Sequence, residues 1–138
     1  MQKITICGSM TFYNKMKELE SKLHSMGFDV YSPQLGEGED FLSMADEKIR
    51  KGKGYYVSLH RGNIQSSGAI LVANFEKNGI PNYIGPSTFA EIGMAYAFGK
   101  KIFLLNEISK TANKIEELGL DSIVLKGNLE KIKSELER

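Results

Sequence analysis

The chain has 138 residues, 41% of them hydrophobic and 25% charged, with 14 Gly and 3 Pro, an ordinary globular composition sufficient for one well-formed core. Lys plus Arg number 18 and Asp plus Glu 17, so the near-zero net charge offers no field for gathering a nucleic-acid duplex or a membrane surface, and neither is an expected partner. A single cysteine, Cys7, excludes an intrachain disulfide. No Cys or His cluster has metal-ligand spacing, and the apolar stretch at residues 4–7 is too short for a leader or a span. One cytoplasmic domain over residues 1–138, without a metal, is the expectation.

Residues 4–7 are β-rich and stop at Gly8-Ser9, after which Phe12, Met16, Leu19, Leu23 and Met26 recur at helical spacing until Gly27. Residues 28–32 predict a second strand halted by Pro33, and the acidic, glycine-containing run at 36–40 predicts a flexible connector. A helix is predicted over 41–50, broken by Lys51-Gly52-Lys53-Gly54, with a second helical piece carrying Tyr56, Leu59, His60 and Ile64. The continuous apolar runs at 69–73 and 102–105 have strand length and predict strands buried on both faces, with a helix at 88–98 between them. Residues 121–125 predict a fifth strand, and 128–138 a closing helix with Leu129, Ile132 and Leu136 as its apolar seam. Strands and helices alternate, so the expected fold is a single-domain α/β sandwich around a five-stranded parallel sheet.

The loop Gly8-Ser9-Met10-Thr11 is neither a dinucleotide-binding fingerprint nor a Walker loop. The four aspartates, at 29, 40, 46 and 121, do not follow the first and third strands, as a phospho-receiver would require. Ligands of an open α/β sheet sit beyond the carboxyl ends of the strands where strand order reverses, here between strands one and three. Two loops are expected to meet there: Gly8, Ser9 and Met10, and the stretch from Asn74 to Glu91, which includes Tyr83, Gly85, Ser87 and Thr88.

Two readings of Glu91 stand at this point. Thr88-Phe89-Ala90-Glu91 fits the S/T-x-x-E capping box, in which the glutamate only serves the helix start. Placed in the first turn, near the positive end of the helix, the same carboxylate would stay ionised and could act as a nucleophile toward the anomeric carbon of an N-glycoside. Ser87, Thr88 and the amides around Gly85 could then hold sugar hydroxyls or a phosphate. Tyr83 could orient Glu91 or merely pack on the core; His60 could reach a phosphate or a leaving base, or be a satisfied core residue. Lys51-Gly52-Lys53-Gly54 could bind phosphate but reads more simply as a solvated loop, and Cys7 as an inert buried thiol.

The blocks Ser67-Gly-Ala-Ile-Leu-Val-Ala-Asn74, Asn78-Gly-Ile-Pro-Asn-Tyr-Ile-Gly85, Ser87-Thr-Phe-Ala-Glu-Ile-Gly-Met-Ala95 and Gly99-Lys-Lys-Ile-Phe103 resemble the nucleoside 2-deoxyribosyltransferase superfamily, which includes the 2'-deoxynucleoside 5'-phosphate N-hydrolases. The resemblance extends over most of residues 3–106. It implies a flavodoxin-like or Rossmann-like fold and a homodimer or higher homo-oligomer whose neighbouring subunit helps complete the nucleoside site. It also implies a nucleophile at Glu91, and sugar or phosphate contacts at Gly8, Ser9, Ser87 and Thr88. One departure stands out: where relatives commonly read S-D-A, this chain has Ser67-Gly68-Ala69, so the aspartate expected to engage the sugar or assist the leaving base is missing. Glu37, Glu39, Asp40 and Asp46 lie in the connector region, with no spacing that brings them to the site.

The sequence therefore predicts N-glycosidic bond cleavage or base exchange on a nucleoside or nucleoside 5'-monophosphate. Catalysis would rest on Glu91 and Tyr83, and binding on Gly8, Ser9, Met10, His60, Asn74, Gly85, Ser87 and Thr88. No cofactor is expected. The rival is a nucleotide-sensing module that keeps the pocket without the chemistry, motivated by Gly68.

Overall fold

The computed structural model of the chain describes residues 2–38, 40–110 and 113–138. In chain order the elements are β1 (Lys3–Cys7), α1 (Tyr13–Ser25), β2 (Asp29–Tyr31), α2 (Asp46–Gln65), β3 (Ala69–Val72), α3 (Pro86–Ala97), β4 (Lys101–Leu104), α4 (Lys114–Gly119), β5 (Ile123–Val124) and α5 (Glu130–Leu136). The five strands form one sheet in the order β2-β1-β3-β4-β5, and every pair is parallel. Cys7 is in register with Val72, so β1 and β3 end level with each other at the point where the order reverses.

Side-chain alternation along the strands divides the core into two layers. Ile4, Ile6, Ala69, Leu71 and Phe103 face α1 and α5, meeting Met16, Leu19, Leu23 and Ile132. Cys7, Ile70, Val72, Ile102 and Leu104 face the other way, onto Ile64 of α2 and Ile92 and Ala95 of α3. Burying one such large apolar side chain contributes about 1.5–3 kcal/mol, which is why runs apolar on both faces settle as the central strands. Gly27, at φ 94°, ends α1 in the left-handed conformation, with its N–H bonded to the His24 carbonyl and the Phe28 N–H to that of Leu23. Among the described residues no helix is long and apolar enough to cross a membrane.

Three expectations need correction. The predicted helix over 41–50 is only partly helical: Phe41–Ser43 is a single 3-10 turn. Beyond it, α2 runs from Asp46 through Gly52 and Gly54 to Gln65 without a break. A glycine costs a helix about 1 kcal/mol relative to alanine, and at position 52 packing explains its presence. The Phe41 ring lies against Gly52 so closely that a Cβ there would be 2.8 Å from its Cε1. The ring also meets Tyr56 edge to face at 6.4 Å. The short helix α4 has no counterpart in the predicted elements.

Asn74 does not reach toward a ligand. Its side chain is fully buried and clamps the ends of β3 and β4. Nδ2 donates to the carbonyls of Asn106 (3.0 Å) and Glu107 (3.2 Å), and Oδ1 accepts from the Asn106 N–H at 2.9 Å. The Asn106 amide returns a bond to the Asn74 carbonyl at 3.1 Å. With its amide so engaged, Asn74 is a structural residue.

Candidate functional site

A cleft of about 490 Å³ opens beyond the carboxyl ends of β1 and β3, within the usual range for small-molecule sites. Its walls include Gly8, Ser9, Met10, His60, Tyr83, Gly85, Ser87, Thr88 and Glu91. Of the ten residues predicted for catalysis or binding, Asn74 alone is absent from the lining. Gly8 allows the chain to turn closely under the site, since a Cβ there would stand 3.0 Å from the Met16 sulfur and 3.3 Å from the Ala73 carbonyl.

Helix α3 starts earlier than the sequence suggests. Pro86 has its φ preset for a first helical position, and Gly85 is the N-cap, without a side-chain capping bond. Thr88 therefore lies inside the first turn and Glu91 in the second. The capping-box reading of Glu91 fails, and so does its placement in the first turn, beyond which the influence of the helix dipole fades. The charge beside the carboxylate comes from elsewhere: Oε2 of Glu91 is ion-paired with Nδ1 of His60.

His60, in the next-to-last turn of α2, is 8% exposed, as is Glu91. Its other ring nitrogen, Nε2, lies 2.9 Å from Oε2 of Glu37, and Oε1 of Glu37 accepts a 2.9 Å bond from the Tyr31 hydroxyl. Both imidazole nitrogens thus face carboxylate oxygens, an arrangement in which only the protonated ring can donate twice. Burial alone would lower the pKa of His60, but the hydrogen bonds to Glu37 and Glu91 and their charges outweigh it and raise it to about 9. For Glu37 burial favours the neutral acid, but the bonds from His60 and Tyr31 prevail and lower its pKa. Tyr31 is pushed upward by burial and by Glu37. Cys7 is raised well above the ordinary thiol value by burial, then by Glu91 and Glu37, so it stays a protonated, inert thiol.

Glu37 was visible in the sequence as part of an acidic connector, but nothing local pointed it at the site. The connector is tied down by tertiary bonds: Glu37 to His60 and Tyr31, and the Gly36 carbonyl to the Tyr56 hydroxyl at 2.8 Å. Glu39 lies outside the described residues. Tyr83 packs at the helix start, where a Cβ on Gly85 would be 2.8 Å from its hydroxyl; the group that holds Glu91 is His60.

Two lysines border the cleft. Lys53 lies on α2, not in a solvated loop. Lys77, which sequence reasoning passed over, stands 4.9 Å over the Tyr83 ring and donates to Ser9 Oγ at 3.2 Å. Among the described residues neither lysine is in an ion pair. Lys77 belongs to a tight turn, in which Asn78 (φ 50°) and Gly79 (φ 82°) reverse the chain and Lys77 bridges to Ile80. Ser9 caps the 3-10 turn that precedes α1. The cleft therefore has an anionic region at Glu37 and Glu91 and a cationic, hydroxyl-bearing one at Lys77 and Ser9.

Gly68 lies outside this site. Its N–H bonds to the Lys3 carbonyl at 2.9 Å, at the amino end of β3, and a side chain there would run into Gln2. At about 3.3 Å per strand residue, that is roughly 15 Å from the cleft end of the strand, beyond the reach of an aspartate.

Neither a protein-family model nor a curated protein matches the chain. Solved structures do. A 2-deoxyribosyltransferase from Bacillus psychrosaccharolyticus superposes with a TM-score of 0.56 at 17% identity, over 74% of this chain and 70% of its own. The CMP N-glycosidase BcmB of Clostridium botulinum gives 0.59 at 19% identity, over 96% of this chain and 99% of its own. At such identities the likeness is one of architecture: the chain shares the α/β fold of these two proteins.

Proposed function

We propose that the protein cleaves or exchanges the N-glycosidic bond of a nucleoside 5'-monophosphate, with Glu91 as the nucleophile. The observation that carries this reading is a carboxylate on the wall of a strand-switch cleft, paired with the buried imidazole of His60 instead of being spent on a helix cap. Attack by a Glu91 oxygen on the anomeric carbon forms an ester as the bond to the base breaks and the base departs with the electron pair. Water then resolves the glycosyl-enzyme in a hydrolase, and a second base does so in a transferase. The developing positive charge on the sugar faces the anionic region of the cleft.

Lys77 and the Ser9 hydroxyl suit a phosphate, with the first-turn N–H groups of Ser87 and Thr88 lacking intrahelical acceptors nearby. A 5'-monophosphate matches this division of the cleft better than an uncharged nucleoside. The solved structures of like fold, a deoxyribosyltransferase and a CMP N-glycosidase, support glycosidic chemistry. Nothing in the cleft favours the sensor reading, since its motive, Gly68, stands at the other end of β3.

The test is incubation of the purified protein with ribo- and deoxyribonucleoside monophosphates, with and without an acceptor base, followed by chromatography for free or exchanged base. Release from at least one monophosphate, faster than from its nucleoside, is the expected result. Tight binding without release from any of them would overturn the catalytic reading.

A further inference from the structure

The cluster at the cleft contains one more acidic group than a simple nucleophile-and-partner pair. His60 comes from α2, Glu91 from α3, Glu37 from the turn Leu35–Gly38 and Tyr31 from the end of β2, and they meet in one chain of contacts. The side chains of Glu37 and His60 are 6% and 10% exposed, so water contributes little to the balance of charge between them. A pair made only of Glu91 and an imidazolium would be neutral, and the cation would draw electron density from the carboxylate that must attack. A second carboxylate on the far ring nitrogen changes that sum to one net negative charge while leaving the cation in place as an anchor.

We propose that Glu37 is a positioning residue for the reaction at Glu91: by holding the Nε2 side of His60 it fixes the imidazolium between two carboxylates, so that Glu91 is oriented by a cation while the cluster retains a net negative charge toward the sugar. The inference rests on the reading of Glu91 as nucleophile. Tyr31 serves the same end from the other side, because its hydroxyl occupies Glu37 Oε1 and leaves Oε2 for His60. The groups that meet the imidazole are Glu37, Glu91 and the ring of Tyr31; Cys7 of β1 feels the two carboxylates, and Lys53 and Lys77 stand on the cleft wall. Tyr31 and Cys7 are both held protonated at neutral pH, so the cluster's charge is set by the two carboxylates and His60. The Tyr56 bond to Gly36 keeps the turn carrying Glu37 seated against α2, which makes the second carboxylate a fixture of the closed connector.

The test pairs two readouts on Glu37→Gln and Glu37→Asp, both checked for folding by thermal melting. NMR titration of the His60 ring is independent of turnover: it should show a pKa near 9 in the unaltered protein, at least about one pH unit lower in Glu37→Gln, which is a tenfold change in proton affinity, and an intermediate value in Glu37→Asp. Turnover of the best monophosphate should fall roughly ten- to a hundredfold in kcat for Glu37→Gln, the scale expected of a misplaced catalytic group, with KM changed less than about threefold, and partly recover in Glu37→Asp. An unchanged His60 titration in Glu37→Gln overturns the inference whatever the activity. Unchanged kcat in Glu37→Gln, alongside an inactive Glu91→Gln, overturns it while the nucleophile reading survives. Full activity of Glu91→Gln overturns that reading and the inference with it.

Discussion

His60 is the residue on which the cleft's electrostatics turn. Its pKa is about 9 in the folded chain against an ordinary value of 6.5, and the sign of the linked stability follows. The raised value means that the folded state holds the proton more tightly, so this contribution is complete below about pH 6.5 and is lost as pH rises through about 9. Denaturant midpoints measured between pH 6 and 10 should therefore fall on the alkaline side, and the fall should be shallower in Glu37→Gln, which keeps only one of the two carboxylate partners. Replacing His60 by alanine leaves two buried carboxylates facing each other and should cost about 3–5 kcal/mol at neutral pH. Asn74 makes a contrasting case at the same scale. Its amide joins two strand ends by several bonds, so Asn74→Ala should cost about 2–3 kcal/mol in chemical denaturation, an effect on stability that a ligand-binding role would not require.

At the scale of elements, helix α2 shows where local reasoning fails. Two glycines within three residues read as a break, yet the helix continues because the connector folds back and Phe41 settles on the space that Gly52 leaves. That contact joins residues on different elements, so no window of sequence contains it. The two glycines consequently differ. Nothing lies within 4 Å of a Cβ at Gly54, and Gly54→Ala should raise stability by about 0.5–1 kcal/mol through the unfolded chain's lost freedom. Gly52→Ala displaces the Phe41 ring and should yield no such gain; paired thermal melts distinguish the two. Helix α3 fails in the opposite sense, because its start was placed too late. The Thr88–Glu91 spacing suggested a capping box, whereas Pro86 at the first helical position is the feature that fixes the register. The central strands, in contrast, were legible: four-residue apolar runs buried on both faces have few other places to go in an α/β domain.

For the molecule as a whole, the alternation of strands and helices sufficed to give the class of fold, and the strand-reversal rule placed the cleft and most of its wall. What it could not give were partners joined only by tertiary structure. Glu37 and His60 are 23 residues apart and neither carries a motif, and Lys77 reaches Ser9 across 68 residues. Topology also sets Gly68 apart from the cleft. Its alignment with an acidic position suggested lost chemistry, but a parallel sheet has all its strand starts at one end and its ligand cleft at the other. Gly68→Asp should therefore leave kcat for base release within about twofold of the unaltered chain, a separation of roughly 15 Å being too far for a carboxylate to assist; an appreciable gain would return that position to the mechanism.

The most direct measurement is intact-protein and peptide mass spectrometry after rapid acid quench of the protein with a nucleoside monophosphate. A sugar phosphate ester on the peptide containing Glu91, formed at least as fast as base appears and absent from Glu91→Gln, which should release base at least roughly a thousandfold more slowly, is the predicted result. Base release at an undiminished rate by Glu91→Gln would contradict it.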